Sequence, residues 1–170
     1  MIFRNLESKD APFMLEWMHD ENLVEFLQAN FKEMKLENCE AFIHASSKDE
    51  ENKHWAICND ADEYLGTISL KHIDTKNGHA EYAISMRRCA LGTGASRFGS
   101  EEVLRIAFEE MGLNRVYLNV LEDNVRANRF YEKMGFRYEG VFKEHLYVNE
   151  KYCDLKWYAI TKKEYMSRKG

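Results

Sequence analysis

The sequence has little proline, few glycines and no long apolar run, and each shortage excludes a class of protein. Pro12 is the only proline among 170 residues, and there are nine glycines. Disordered and low-complexity chains are rich in such residues and poor in apolar ones, so this composition excludes them. No stretch approaches the roughly 20 apolar residues of a membrane span, and the N-terminus lacks the apolar core of a signal peptide. We therefore expect a cytoplasmic protein.

Paired cysteines and an excess of basic charge are also missing. The cysteines lie far apart, at Cys39, Cys58, Cys89 and Cys153. No C-x-x-C pair occurs, so neither a zinc site nor a disulfide framework is expected. The net charge is −5, from 24 basic and 29 acidic residues that are interspersed along the chain. A nucleic-acid or membrane-surface binder more often has a basic face, so neither partner is expected.

What the chain does contain is enough apolar sequence for one domain over residues 1–170. Apolar residues make up 45% and charged residues 31%, and a chain of this length buries a sizeable core. Apolar alternation and turn signals predict strands, and helical spacing predicts helices. The strands cover residues 2–6, 54–58, 64–72, 80–86, 116–120, 137–147 and 152–160. The helices cover roughly residues 11–18, 22–28, 36–46, 94–111 and 124–134, the first with Asp10 as its cap.

The order of these elements predicts an α+β fold. It reads strand, helices, three strands, helix, strand, helix and two strands. A strand–helix–strand unit brings two strands together in parallel, here residues 80–86 beside 116–120. The other neighbours are antiparallel. We expect a mixed, mostly antiparallel sheet of about seven strands with flanking helices.

Two motifs flank the second predicted strand of the parallel pair. Gly92-Thr93-Gly94 joins a strand to a long helix, where glycines permit close approach to a ligand and free N–H groups bind anions. About thirty residues on, the chain reads Asn124-x-x-Ala127-x-x-x-Tyr131-x-x-x-Gly135-Phe136. This second motif places an amide and a phenol on one short helix. Together the motifs indicate a pyrophosphate-bearing cofactor with a proton donor beside it.

These motifs and the element order resemble the GNAT acyltransferase superfamily. The resemblance spans nearly the whole chain and is strongest from Glu81 to Phe136. Residues 140–154 are similar to the final hairpin of the branch that holds ribosomal-protein-alanine and spermidine N-acetyltransferases. One departure is Cys89, because the family usually has Gln or Arg three residues before the first glycine, and here Arg88 lies one residue early.

The resemblance implies that acetyl-CoA lies where the two parallel strands splay apart, with no metal. Its pantetheine is expected along the backbone of Ile84, Ser85 and Met86. The pyrophosphate is expected on the N–H groups of Leu91, Gly92, Thr93, Gly94, Ala95 and Ser96, at the positive end of a helix dipole. Arginines 87, 88, 97 and 126 are placed to neutralise phosphates, with Arg97 favoured. The alternatives are a glycine turn that binds nothing and arginines that are solvated.

Three asparagines complete the expected cofactor contacts. Asn119 lies on the strand 116–120. Asn124 opens the last predicted helix, where it serves as N-cap, as cofactor contact or as both. Asn128, one turn on, is either a second contact or a solvated helix residue.

Tyr131 and Glu81 are the candidate catalytic residues. Aminolysis of a thioester expels a thiolate, which a phenol at Tyr131 would protonate as general acid. The alternative is that Tyr131 only packs, since it continues the apolar stripe of its helix. Glu81 is the candidate base for the acceptor ammonium, directly or through water. Its alternative is an ordinary surface carboxylate.

The motifs do not identify the molecule that accepts the acetyl group. A small amine, the α-amino group of a protein, and an amino sugar or sugar nucleotide are all compatible with the motifs, because one fold hosts many pockets. A CoA-binding sensor without turnover is a further alternative. Trp17, Phe26 and Phe31 either line an acceptor pocket or pack in the core. The last strands, which are rich in tyrosine, either form the surface of a homodimer or serve the core.

Overall fold

A computed structural model describes residues 1–27 and 30–170 of the chain. Within these residues seven strands form one sheet in the order β1-β2-β3-β4-β5-β7-β6. The strands are β1 (Ile2–Asn5), β2 (Lys53–Cys58), β3 (Tyr64–Asp74), β4 (His79–Met86), β5 (Arg115–Leu121), β6 (Arg137–Val148) and β7 (Lys151–Thr161). The helices are α1 (Ala11–Met18), α2 (Glu21–Val24), α3 (Leu36–Ser46), α4 (Ala95–Arg105), α5 (Val125–Met134) and α6 (Lys162–Lys169). A π-helical turn, Ile106–Glu110, extends α4.

The predicted mixed sheet is confirmed. Every neighbouring pair is antiparallel except β4 with β5, which are parallel. The helix predicted over residues 22–28 is shorter than expected, since α2 ends at Val24, and its predicted end at Gln28 lies outside the described residues. Helix α6 was not predicted at all. Its start is a capping box formed by Thr161 and Glu164.

The prediction that Asp10 caps α1 is wrong. Its side chain is buried and does not cap the helix. Instead the carboxylate accepts hydrogen bonds from the Arg4 guanidinium at 2.8 and 2.9 Å and from the backbone N–H of Glu7. A buried carboxylate needs such a cationic partner, so Asp10 fastens β1 to the turn that precedes α1.

The helices form two layers, one on each face of the sheet. Helices α1 and α3 cover one face, where Ala56, Cys58 and Tyr64 meet Met14 and other residues of the helices. Helices α4 and α5 cover the opposite face. Successive residues of a strand point to opposite faces, so Ile57, next to Ala56, lies under α4. Gly99 allows that contact, because a Cβ there would lie 2.2 Å from the Ile57 side chain.

The parallel pair opens into a gap, which we call the strand cleft. The two strands pair only over His79–Glu81 of β4 and Arg115–Tyr117 of β5. Beyond Glu81, β4 stays paired with β3, while β5 stays paired with β7. In an antiparallel ladder, alternate residues turn their N–H and C=O groups away from the partner. Backbone groups of β4 beyond Glu81 therefore face the cleft.

Candidate active site

The mouth of the cleft is formed by the glycine loop, residues 91–94, which joins β4 to α4. Gly92 and Gly94 have φ angles of +80° and +88°. Side-chain-bearing residues rarely adopt this conformation. A Cβ on either glycine would meet no atom within 4 Å. The glycines are therefore required by the backbone turn, and the space in front of them is open.

Helix α4 begins with unpaired backbone donors. No side chain caps it with an oxygen from the Gly94 position, and its first backbone hydrogen bond runs from Phe98 N–H to Gly94 C=O at 3.0 Å. Among the residues that the structure describes, no acceptor pairs with the N–H of Ser96 or Arg97. Such donors at the positive end of a helix bind phosphate groups. The start of α4 thus offers backbone donors to an anion, and the predicted pyrophosphate contacts of residues 91–96 stay predictions.

Arg87 is not a phosphate ligand, contrary to the sequence prediction. It is buried, and its guanidinium donates to both carboxylate oxygens of Glu16 at 3.1 and 2.8 Å. It also bonds Glu63 at 2.5 Å and stacks 4.4 Å from the centre of the Phe13 ring. Burial of a guanidinium requires compensation by such charged partners. Arg87 therefore ties the end of β4 to α1.

The other arginines stay near the surface. Arg88 forms a two-point ion pair with Asp20, at 2.7 and 2.5 Å. Arg97 is 74% exposed on the first turn of α4 and bonds Glu101 at 2.8 Å. Arg126 is exposed as well. Exposed pairs are worth little, so Arg97 retains the freedom to turn toward a phosphate, and its role as a cofactor contact stays a prediction.

Asparagine side chains hydrogen-bond backbone groups at the start of α5. The Oδ1 of Asn124 accepts a hydrogen bond from the N–H of Ala127 at 3.2 Å, which confirms its predicted role as N-cap. This acceptor satisfies one of the donors that every helix start leaves unpaired. A contact between Asn124 and the cofactor stays a prediction.

Asn128 is buried, so its interpretation as a solvated helix residue is wrong. It is 6% exposed, and its amide nitrogen donates to the carbonyls of Leu121, Glu122 and Asn124 at 3.1, 3.3 and 2.7 Å. Its oxygen accepts from the hydroxyl of Tyr158 at 2.9 Å. A cofactor contact by Asn128 stays a prediction, and it would have to replace one of these bonds.

Sequence reasoning missed Tyr158, which completes this network. Its hydroxyl lies 2.9 Å from Asn128 and 3.2 Å from a carboxylate oxygen of Glu132. The available signal was the alternation along β7, which turns Tyr158 toward the layer that contains α5. The sequence did not show which helix residue it meets.

Tyr131 lies in the core beneath the cleft. Its ring packs against Tyr82 and Phe136, with centroid distances of 5.8 and 6.0 Å. The side chain is 9% exposed, and burial raises the pKa of the phenol to about 12. No hydrogen bond to its hydroxyl is found within the described part of the chain. The ring thus packs, as the apolar stripe indicates, and the phenol remains protonated at neutral pH.

Glu81 lies where β4 and β5 part, at the last paired position. Its side chain is 16% exposed, and one oxygen is 3.2 Å from the Lys71 ammonium. The same oxygen lies 3.4 Å from the Asn119 amide, and the other is 3.7 Å from His72. Glu81 is therefore a partly buried, partnered carboxylate rather than a free surface group. Its role as base and the role of Asn119 as cofactor contact stay predictions.

An apolar cavity of about 320 Å³ lies between α1 and α3 on one side and β3 and β4 on the other. It reaches β4 at Ala83–Ser85, in the segment beside the cleft, which includes two of the predicted pantetheine contacts, Ile84 and Ser85. Trp17 and Phe31 line this cavity, whereas Phe26 packs in a separate cluster with Leu121. The lining residues are Met14, Trp17, Met18, Phe31, Met34, Asn38, Cys39, Phe42, His54, Thr67, Ser69, Lys71, Ala83, Ile84 and Ser85.

A search of residues 1–27 and 30–170 finds no group of three or more His, Cys, Asp or Glu side chains that could hold a metal ion. In the same ranges no helix is long and apolar enough to cross a membrane.

Comparison with known proteins gives a consistent result. A family model described as an acetyltransferase (GNAT) domain matches residues 1–137. A putative ribosomal N-acetyltransferase, YdaF of Bacillus subtilis, is 33% identical over 104 residues, which cover 61% of this chain and 57% of that protein. The spermidine N(1)-acetyltransferase of Vibrio cholerae is 24% identical over 168 residues, which cover 99% and 96%.

Solved structures show the same fold. The Vibrio cholerae spermidine N-acetyltransferase in complex with CoA and spermine superimposes with a TM-score of 0.89, at 23% identity and 97% coverage of both chains. A probable acetyltransferase superimposes with a TM-score of 0.85, at 27% identity and coverage of 95% of this chain and 93% of that one.

Proposed function

The chain belongs to the GNAT acetyltransferase family, whose acyl donor is acetyl-CoA, and we propose that it acetylates a primary amine by direct attack on the thioester. One domain over residues 1–170 carries this activity. The observation that carries the proposal is the strand cleft, with an uncapped helix start at its mouth and a buried phenol beneath it. Those are the parts that aminolysis of a thioester requires.

The glycine loop and the start of α4 support binding of the cofactor phosphates. The unpaired N–H groups of Ser96 and Arg97 are donors for the pyrophosphate, together with the backbone of residues 91–95. Within that stretch the N–H groups of Leu91, Thr93 and Ala95 already have acceptors in the protein, so Gly92 and Gly94 offer the more available donors. The pantetheine is then placed along the backbone of Ile84, Ser85 and Met86. In the β3–β4 register, Ile84 and Met86 turn their backbone groups toward the cleft, whereas those of Ser85 face Thr67 of β3. Asn119, Asn124 and Asn128 are proposed as further contacts, of which Asn128 has the least freedom because its amide is already hydrogen-bonded.

Tyr131 is proposed as the general acid. When bound, acetyl-CoA supplies an activated thioester. As the new C–N bond forms and the C–S bond breaks, the Tyr131 hydroxyl would give its proton to the departing sulfur. The attacking nitrogen would lose one proton as the amide forms, and that proton balances the one needed to restore the phenol. Burial favours the protonated phenol, with a pKa of about 12, so the acid form is present at neutral pH. Backbone N–H groups of β4 in the cleft are donors for the oxygen that gains charge.

Glu81 is proposed as the base that accepts a proton from the acceptor ammonium, directly or through water. Its position supports this role, because it lies at the closed end of the cleft where β4 and β5 separate. Replacement by Gln keeps the size and removes the proton-accepting charge. We expect Glu81→Gln to lower the rate most at low pH, where less of the amine is neutral; an unchanged pH–rate profile would exclude the role.

The acceptor is proposed to be a small amine or a protein N-terminus. The names of the two relatives, a ribosomal N-acetyltransferase and a spermidine acetyltransferase, support these two classes. An amino sugar or sugar nucleotide, and a CoA-binding sensor without turnover, are the alternatives. A homodimer through β6 and β7 is proposed too, supported by the exposed rings of Phe142, Tyr147 and Tyr152 on these strands.

The experiment that tests the proposal is thiol release from acetyl-CoA with a panel of amines, amino sugars and N-terminal peptides. Turnover with an amine or a peptide supports it. Turnover only with amino sugars would favour the first alternative. CoA binding without any turnover would favour the sensor, and the absence of CoA binding would overturn the cofactor assignment.

A further inference from the structure

The apolar cavity points to the chemical class of the acceptor. We infer that the acceptor is a primary amine whose remaining part is uncharged and apolar, and that this part fills the apolar cavity. A polyamine, which carries further ammonium groups, is the wrong ligand for it. The inference rests on the proposed function, because it takes the amine to be the group that is acetylated.

The position of the cavity connects it to the cleft. Its floor is formed by Ala83, Ile84 and Ser85 of β4, the segment that has lost its pairing with β5. An amine that reaches the cleft from the α1–α3 face therefore leaves its substituent in this cavity. At about 320 Å³, the cavity lies at the small end of ligand pockets, which span about 300–1,000 Å³. It suits one aromatic ring or one short alkyl chain.

The walls of the cavity offer little to a second ammonium group. Rings and thioethers dominate the lining, with Trp17, Phe31 and Met34 among them, and the lining contains no Asp or Glu within the described residues. Two of its three hydroxyl groups already have partners, since Thr67 bonds the Tyr64 hydroxyl and Ser69 bonds His54, both at 2.7 Å, and Ser85 supplies the third hydroxyl. A charge buried without a partner is strongly unfavourable.

The charges at the cavity edge also oppose a polycation. Among the described lining residues Lys71 is the one with a fixed charge, and the carboxylate of Glu81, 3.2 Å from its ammonium, is already engaged. Burial lowers the pKa of His54, which keeps this side chain neutral at pH 7. The fixed charge that an entering ligand meets on the cavity wall is therefore positive.

A matched pair of amines tests the inference. Hexylamine and hexamethylenediamine share a six-carbon chain and differ only in whether its last carbon carries a hydrogen or an ammonium group. We expect kcat/KM for hexylamine to exceed that for hexamethylenediamine and spermidine by at least about tenfold, given the cost of an unpaired buried charge. Equal values, or a preference for either polyamine, would overturn the inference while leaving an active acetyltransferase.

A charge placed on the cavity wall should reverse that preference. Met34 lines the cavity and is half-buried, so substitution is compatible with folding. We expect Met34→Glu to raise KM for hexylamine and lower KM for hexamethylenediamine, while Met34→Leu leaves both within about twofold, as volume-conserving swaps are tolerated. Thermal unfolding of both variants verifies folding. An unchanged preference in Met34→Glu would overturn the placement of the substituent.

Binding measured without turnover separates this inference from the proposed function. Titration calorimetry with CoA present compares the two amines directly. Tighter binding of hexylamine without thiol release from acetyl-CoA would support the cavity assignment and contradict the proposed function. Failure of hexylamine to bind or react, while spermidine or an amino sugar is acetylated, would contradict the inference and leave acetyl transfer established.

Discussion

The starts of α4 and α5 form an instructive contrast, because both follow a strand of the parallel pair on the same edge of the sheet. At the start of α4, two glycines with positive φ bring the chain round and leave N–H groups unpaired. At the start of α5, Asn124 caps the helix and Asn128 binds three carbonyls. The start of α4 therefore has backbone donors available to an anion, whereas backbone groups at the start of α5 are hydrogen-bonded within the protein.

Two helix starts in equivalent positions of the fold can therefore differ in whether their backbone N–H groups are free or hydrogen-bonded. A helix start binds a ligand only when its donors lack partners in the protein. In α5 the asparagine side chains instead hydrogen-bond backbone groups of the protein, and the residue proposed for chemistry, Tyr131, lies two turns further along. Variants at and after each helix start test whether the two helices differ in this way.

The largest effect is expected from Tyr131→Phe. The substitution removes the hydroxyl and keeps the ring that packs against Tyr82 and Phe136. Loss of a general acid lowers kcat by about 10²–10⁴-fold, whereas the free energy of unfolding should hardly change. Thiol release at saturating acetyl-CoA and a urea titration measure the two quantities. A full rate in this variant would remove Tyr131 from the mechanism.

The pH dependence of kcat is a second test of Tyr131 as the general acid. An unperturbed tyrosine ionises near pH 10, whereas burial raises the pKa of Tyr131 to about 12. Because the acid must be protonated to act, its raised pKa extends activity toward high pH. We expect no loss of kcat from this ionisation up to about pH 10. A decline centred near that value, absent in Tyr131→Phe, would contradict the burial of the acid.

Asn128→Leu should cost the most stability. The change keeps the size of the side chain but removes the donor to three carbonyls and the acceptor for Tyr158. Leu121, Asn124 and Tyr158 each keep another hydrogen bond, so the main loss is that of the four bonds themselves. At about 0.5–1.5 kcal/mol for each bond, we expect the free energy of unfolding to fall by about 2–4 kcal/mol. Urea denaturation measures it. Unchanged stability combined with lost CoA affinity would show that Asn128 serves the ligand after all.

Gly94→Ala should weaken CoA binding, and Gly112→Ala is its matched control. Both glycines have positive φ, +88° and +68°, and a Cβ at either would meet nothing within 4 Å. The strain is thus the same kind, about 1–2 kcal/mol, but only Gly94 opens α4. We expect CoA affinity to fall about tenfold or more in Gly94→Ala alone, since that strain is relieved by moving the donors. Calorimetric titration with CoA measures the two affinities. Equal affinity of Gly94→Ala and Gly112→Ala for CoA would contradict the prediction.

The smallest effect is expected at Asn124. Loss of the N-cap in Asn124→Ala should cost about 1 kcal/mol of unfolding free energy, whereas Asn124→Asp keeps a good cap. If the amide also contacts the cofactor, a carboxylate there repels its phosphates, and we expect CoA to bind about threefold more weakly to the Asp variant. Equal CoA affinity in the wild type and Asn124→Asp would leave Asn124 with the capping role only.

The sequence was sufficient for the sheet and the glycine loop because both depend on local patterns. Alternation located all seven strands, and the change to helical spacing after Gly94 located α4. Helix α6 was not predicted because it has too few apolar residues to form a stripe along one face. A signal was available, since Thr161 and Glu164 have the spacing of a capping box. Local patterns therefore predicted the frame of the site.

Contacts between distant parts of the chain could not be predicted in this way. Arg87 lies beside the glycine loop in sequence, yet its charge is bound by Glu16, 71 residues away. The apolar cavity likewise combines residues of α1, α3, β3 and β4. Which charges are already paired, and which walls are apolar, depends on this packing and not on spacing along the chain.

The anchoring of Arg87 has a consequence for how the two substrates influence one another. This one guanidinium joins the strand that leads into the glycine loop to α1, the helix that supplies Met14 and Trp17 to the apolar cavity. The proposed donor site and the proposed acceptor cavity therefore share one buried guanidinium, which is paired with both Glu16 and Glu63. If occupation of one site shifts this anchor, the effect on the other site is reciprocal, because thermodynamic linkage acts equally in both directions. A variant that loosens Arg87 is then expected to change the coupling between the two ligands.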